Sequence, residues 1–205
     1  MMKLWGRDNS TNVQKVMLCL HELNVPFERI EAGMAFGVVG TPGYQAMNPN
    51  ALVPTIDDDG FVLWESNVIV RYLCAKFAKG TYWPEDVAAR ADVERWMDWQ
   101  QTVFGPAVRV PLWGMVRTPD KFTAEQITAG VQACEASAAI LDALFSDRDF
   151  VGGKQFGMAD IVLLPAAHIW LNVPVARQPR PHFEAWYARA AKRPAVSQVL
   201  KLPIT

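Results

Sequence analysis

Cysteine is scarce in this chain: Cys19, Cys74 and Cys134 are spread over 205 residues, with no CxxC among them. An odd, dispersed set builds no disulfide framework and suits a reducing compartment. Histidine is equally sparse. His21, His168 and His182 stand far apart, no metal-ligand spacing joins them, and they read as ordinary core or surface residues, so no metal is expected. Neither sign of charge dominates: twenty Lys and Arg against twenty-one Asp and Glu leave a formal net charge of −1. With no basic stripe, nucleic acid is disfavoured as a partner. Long apolar runs are missing too. The longest, IVLLPAA, is too short to cross a bilayer, and the opening MMKLWG has no signal-peptide core. These absences lead to an expectation of a cytoplasmic protein with no membrane partner.

What is present is core material. Hydrophobic residues make up 51% of the chain, enough for one large domain or two modest ones, and eight tryptophans point to thick helix packing, an apolar pocket, or both. The first 78 residues alternate strand and helix signals. KLWG reads as a short strand. Val13, Val16, Met17, Leu20 and Leu23 recur at helical spacing from about Asn12, and Asn24 with Pro26 closes that helix. PFERIEA gives a second strand and TPGYQAMNPNA a short helical turn. VPTIDD and FVLWE flank Asp59-Gly60, the signature of a β-hairpin, and Ser66 opens a further helix through Phe77.

KGTYWPED breaks both periodicities. Residues 79–87 are therefore read as a linker between a mixed βαβαββα module, 1–78, and an all-helical module, 88–205. In the second module one helix is expected over 88–104. Another runs from Thr123 to Phe145, with Gln126 at capping-box spacing from Thr123, a third begins at Gly157 and a fourth near Pro181.

Three places in the first module have the chemistry to hold a small peptide, and each has a structural reading beside the functional one. Val53-Pro54 starts a strand. A trans proline there is unremarkable, whereas a cis bond would turn the Val53 N–H and C=O outward for an extended peptide to pair with. At Glu65-Ser66, Ser66 either caps a helix or binds an anion at its N-terminus, with the Glu65 carboxylate beside it for an ammonium group. Ser10 either caps the first helix or offers a hydroxyl to a ligand. No histidine follows it in an elbow motif that would make it a nucleophile. As a donor it is suited to a thiolate brought by the ligand. A free thiol with a pKa of about 8.5 is ~3% ionised at pH 7, and lowering it by roughly two units takes about 2.7 kcal/mol. One charge-assisted hydrogen bond at ~1.5–3 kcal/mol plus a helix end supplies that.

Taken together, GRDNSTNVQKV, NPNALVPTI, LWESNVIVRYL and FGMADIVLLPAAHIW resemble the cytosolic glutathione S-transferases over essentially the whole chain, most of all bacterial, serine-using members like the theta and zeta classes. The resemblance implies a thioredoxin-like N-terminal domain, a helical-bundle C-terminal domain and a homodimer. It implies glutathione as co-substrate, conjugated to a small hydrophobic electrophile. It also places Ser10 as the residue that stabilises the thiolate and Asn12 near the sulfur. Val53 would pair with the cysteinyl backbone, Pro54 would be cis, and Glu65 and Ser66 would grip the γ-glutamyl end. FGMADI is a folding element in such proteins. Gly157 as N-cap puts Asp160 at N3, within reach of the cap N–H, and sets Phe156 and Ile161 as a hydrophobic staple.

Two departures stand out. MAFGVVGTPGY carries no lysine, histidine or glutamine where many relatives contact the glycyl carboxylate. The electrophile pocket is weakly marked, with Phe104, Val108, Trp113 and Met115 as wall candidates that read equally well as packing. Other outcomes stay open: a glutathione-dependent isomerase or dehalogenase, or a non-catalytic module of the same fold that binds apolar ligands or partner proteins. A disulfide reductase is disfavoured, because Ser10 stands where a reactive cysteine would be and Cys19 lies inside the helix.

Overall fold

A computed structural model describes residues 1–205. The chain divides into two compact units, Met1–Trp83 and Pro84–Thr205.

The first unit begins with β1 (Met2–Trp5), whose alternation buries Met2 and Leu4 and leaves Lys3 outside. Helix α1 (Thr11–Glu22) follows. Gly6 allows the tight entry, since a Cβ there would sit 2.3 Å from a Val13 methyl. The helix ends in a Schellman motif: Asn24 takes φ 52°, its N–H reaches His21 O, and the Val25 N–H reaches Leu20 O. After β2 (Phe27–Ile30) and the short α2 (Pro42–Met47), β3 (Thr55–Asp58) and β4 (Phe61–Trp64) form the hairpin around Asp59 and Gly60, both at positive φ. Helix α3 (Ser66–Phe77) closes the unit.

The sheet order is β2-β1-β3-β4, with β1 parallel to β2 and antiparallel to β3. This is the thioredoxin-like arrangement. Helices α1 and α3 pack side by side, burying Val13, Val16 and Leu20 with Ile69, Val70 and Leu73. Cys19 and Cys74 meet in that seam with sulfurs 3.7 Å apart and no exposed surface. Burial pushes the Cys19 thiol well above its usual range, which makes it inert.

The second unit is helical: α4 (Val87–Trp99), α5 (Gly105–Leu112), α6 (Ala124–Leu144), α7 (Met158–Asn172), α8 (Pro181–Ala191) and α9 (Pro194–Val199). The helix expected to stop at Phe104 instead continues through π-helical turns at Gln100–Phe104 and Trp113–Arg117. Gly105-Pro106 reads locally as a break. Here the widened turn brings the Gln100 carbonyl to 2.9 Å from where a Gly105 Cβ would stand, so only glycine fits, and Pro106 follows inside the continuing helix with no N–H to donate back.

Thr123 and Gln126 complete a reciprocal capping box on α6. That helix is long and apolar enough on average to cross a bilayer, but its Cys134, Ala138 and Leu141 face inward and it packs against α5 and α8. Helix α7 is buried from Met158 to Trp170. At its start Asp160 accepts from the Gly157 N–H (3.0 Å), the Val151 N–H (3.0 Å) and Trp186 Nε1 (2.8 Å), joining the helix cap to the preceding turn and to α8.

Candidate active site

The starts of α1 and α3 meet through side chains. Ser66 Oγ donates to Asn12 Oδ1 at 3.3 Å, so the first turns of the two helices are tied together and their positive ends converge. Ser10 has the extended backbone of an N-cap (φ −81°, ψ 119°) but makes no side-chain capping hydrogen bond. Its hydroxyl is therefore not committed to the helix, although the residue is only 6% exposed. Ser10 caps α1 with its backbone and not with its side chain.

At α3 the cap position belongs to Glu65 rather than Ser66. Glu65 sits at φ 72°, makes no capping hydrogen bond and is exposed, while Ser66 is the first helical residue and is buried. A left-handed backbone at a bulky, charged residue is strained, which marks the position as constrained by something other than helix formation.

Val53-Pro54 is cis. The β3 ladder begins one residue later, where Thr55 pairs with both Trp5 and Trp64, and the Val53 N–H and C=O enter no backbone hydrogen bond. Tyr44 and Asn48 hold this loop by bonding the Leu52 carbonyl and the Thr55 hydroxyl.

Two cations in this unit escaped the sequence reading. Lys15 has no exposed surface, and its Nζ lies 3.1 Å from Asn67 Oδ1 and 3.5 Å from Ser66 Oγ. Desolvation pushes its pKa down to about 7, with the charge of Glu65 acting in the opposite direction. The second is Arg7. Its guanidinium stands against Gly33, 3.3 Å from where a Cβ would be, and the Val53 methyls reach the same point at 3.5 Å. Arg7 Nε is buried with no hydrogen-bond partner, and burial lowers the group's pKa.

In the second unit, two of the four proposed pocket residues are core. Phe104 has no exposed surface and stacks on Trp99 at 5.7 Å, and Val108 is 2% exposed. Both pack inside this unit. Trp113 and Met115 remain partly exposed, and Trp113 is flanked by the Arg109 and Arg117 guanidiniums at 5.9 and 5.4 Å.

Fold and site together define a thioredoxin-like protein with an appended helical unit, of the kind that carries serine instead of cysteine at the head of its first helix. Residues 9–76 match the model for the glutathione S-transferase N-terminal domain, and residues 124–189 match that for the C-terminal domain. The chain is 42% identical to glutathione S-transferase GstB of Escherichia coli K12, over 100% of both chains. It is 29% identical to rat glutathione S-transferase theta-1, covering 81% of this chain and 72% of that one. Among solved structures, the theta class glutathione S-transferase of Xanthomonas axonopodis pv. citri with glutathione bound superposes with a TM-score of 0.95 at 40% identity, covering 100% of this chain and 99% of that chain. The chain belongs to the glutathione S-transferase family.

Proposed function

We propose that this enzyme binds glutathione along the first unit, ionises its thiol at the Ser10 hydroxyl, and adds the thiolate to small apolar electrophiles. The observation that carries the reading is the uncommitted Ser10 hydroxyl at the start of α1. A thiolate there accepts the Ser10 hydrogen bond and lies at the positive end of the helix. Its proton leaves to solvent. The sulfur lone pair then forms the new C–S bond, and the leaving group departs with its electron pair.

The free Val53 N–H and C=O suit the cysteinyl backbone, with Pro54 fixing that turn. Glu65 takes the γ-glutamyl ammonium, and the Ser66 hydroxyl, turning its one proton from Asn12 to the ligand, donates to its carboxylate. Asn12, bonded to Ser66, serves the glutamyl end rather than the sulfur. Arg7 is the counter-charge for the glycyl carboxylate: it lies beside Val53, and the glycyl residue is one residue length, about 3.5 Å, beyond the cysteine. Trp113 and Met115 are the remaining wall candidates for the electrophile.

A homodimer fits the exposed Met34, Phe36 and Leu52, which leave apolar surface on the first unit to be covered. A reducing cytoplasm fits three free cysteines. The test is Ser10→Ala: turnover with a model electrophile should fall about tenfold to several hundredfold while glutathione affinity changes little, as for loss of a transition-state hydrogen bond. Unchanged turnover would remove Ser10 from the mechanism.

A further inference from the structure

We propose that Lys15 is a positioning residue for the γ-glutamyl end of glutathione, acting through Ser66 and Asn67 from beneath the binding surface, and that it takes up a proton when the peptide binds. This rests on the glutathione reading above.

A fully buried lysine is rare, because removing an ammonium group from water is costly unless something answers it. As an ammonium, Lys15 carries only donors. It directs them at Asn67 Oδ1 and Ser66 Oγ, on the first two residues of α3. Ser66 in turn donates to Asn12, completing a chain from Lys15 through Ser66 to the start of α1. A donor placed on the Ser66 oxygen polarises its O–H, so Lys15 strengthens the hydroxyl whose proton turns from Asn12 to the ligand carboxylate on binding.

The groups around Nζ decide its charge. On its own helix, Asn12, which accepts from Ser66, is neutral. On α3, Ser66 and Asn67 are neutral, and the Glu65 carboxylate favours the charged form. Burial outweighs Glu65 in the free protein, leaving the amine close to half-charged near pH 7. A bound zwitterion engages Glu65 with its ammonium but puts its carboxylate on Ser66, directly over Lys15. An opposite charge that close raises a lysine pKa by about 1–3 units. By linkage, a rise of one to two units means that charged Lys15 binds the peptide about ten- to a hundredfold more tightly than neutral Lys15.

The measurement is titration calorimetry with S-methylglutathione, which has no thiol to ionise, in buffers of different ionisation enthalpy. At pH 7.5 the wild-type protein should take up about 0.5–0.7 proton per site beyond that taken up by Lys15→Arg, whose guanidinium is already charged. Wild-type affinity should fall as pH rises from 7 to 9. Relative to it, Lys15→Arg should stay tight and Lys15→Met should be about tenfold or more weaker at pH 6.5, both tracking only the ligand's own titration. A lysine with a merely structural role would move none of these proton counts. Equal uptake by wild type and Lys15→Arg, with normal binding, overturns the Lys15 role and leaves the glutathione reading standing. No binding heat in the wild-type protein overturns both.

Discussion

At Ser10 the backbone caps a helix while the hydroxyl stays out of the cap, and at Glu65 a charged residue holds a left-handed conformation with its carboxylate in the open. Strain of that kind costs about 1–3 kcal/mol and persists where the surroundings demand it. Arg7 adds a half-buried cation whose Nε has no partner. These three irregularities lie in one unit, and the proposed function assigns them to the sulfur, the ammonium and the terminal carboxylate of a single tripeptide. The assignment of Arg7 is open to a direct check. Glutathione esterified at its glycine keeps every other group, so wild type should bind it about tenfold or more weakly than glutathione, in line with a lost charge-assisted pair. Arg7→Gln should weaken glutathione binding and abolish that preference. A wild-type protein indifferent to the ester would remove Arg7 from the site.

At the scale of elements, Asp160 is the clearest case of a carboxylate doing structural work. It is fully buried, burial pushes its pKa up to about 6, and three N–H donors hold its charged form. Asp160→Asn turns an NH2 toward one of those donors and should destabilise the protein by about 2–3 kcal/mol in urea unfolding. Glutathione affinity at temperatures below the transition should not move. A matching loss of affinity would mean that Asp160 serves the first unit as well.

This element was legible before the structure, as were α1, the Asp59-Gly60 hairpin and the Thr123 capping box, because each is written in a local pattern of spacing and turn chemistry. The π-helical turns at 100–104 and 113–117 were not. A glycine-proline pair spells a helix end locally, and only the packing of Gly105 against the Gln100 carbonyl shows that the helix goes on. The cis bond at Val53-Pro54 was readable as a candidate, and Ser10, Glu65 and Ser66 were marked by their places at the starts of two helices. Lys15 and Arg7 were hidden, because a lone cation in a polar stretch reads as solvent-facing, and its burial depends on what another element places over it. Position 15 does carry one faint signal: it shares a face with Asn12 and Cys19, three residues before and four after, on the side turned to α3.

For the whole molecule, the buried Lys15 makes stability depend on pH. Its folded pKa of about 7 lies below the 10.5 of an unfolded chain. Between those values the unfolded state binds more protons, so this group makes stability rise with pH from about 7 to about 10.5, and its full cost falls below pH 7. Lys15→Met should therefore be more stable than wild type at pH 7, by on the order of 2–4 kcal/mol, with the advantage shrinking as pH approaches 10. Unfolding curves at pH 6.5, 8 and 9.5 read this directly. A Met variant less stable than wild type at every pH would mean that the buried amine is held by hydrogen bonds strong enough to outweigh its desolvation.

The proposed chemistry depends on one event, loss of the thiol proton from glutathione bound at Ser10. Ultraviolet titration of the thiolate band with the wild-type enzyme saturated by glutathione measures it most directly. The bound thiol should titrate about two units below the free value of about 8.5, returning most of the way in Ser10→Ala. A bound thiol that titrates as it does in water, in wild type and variant alike, would contradict the account.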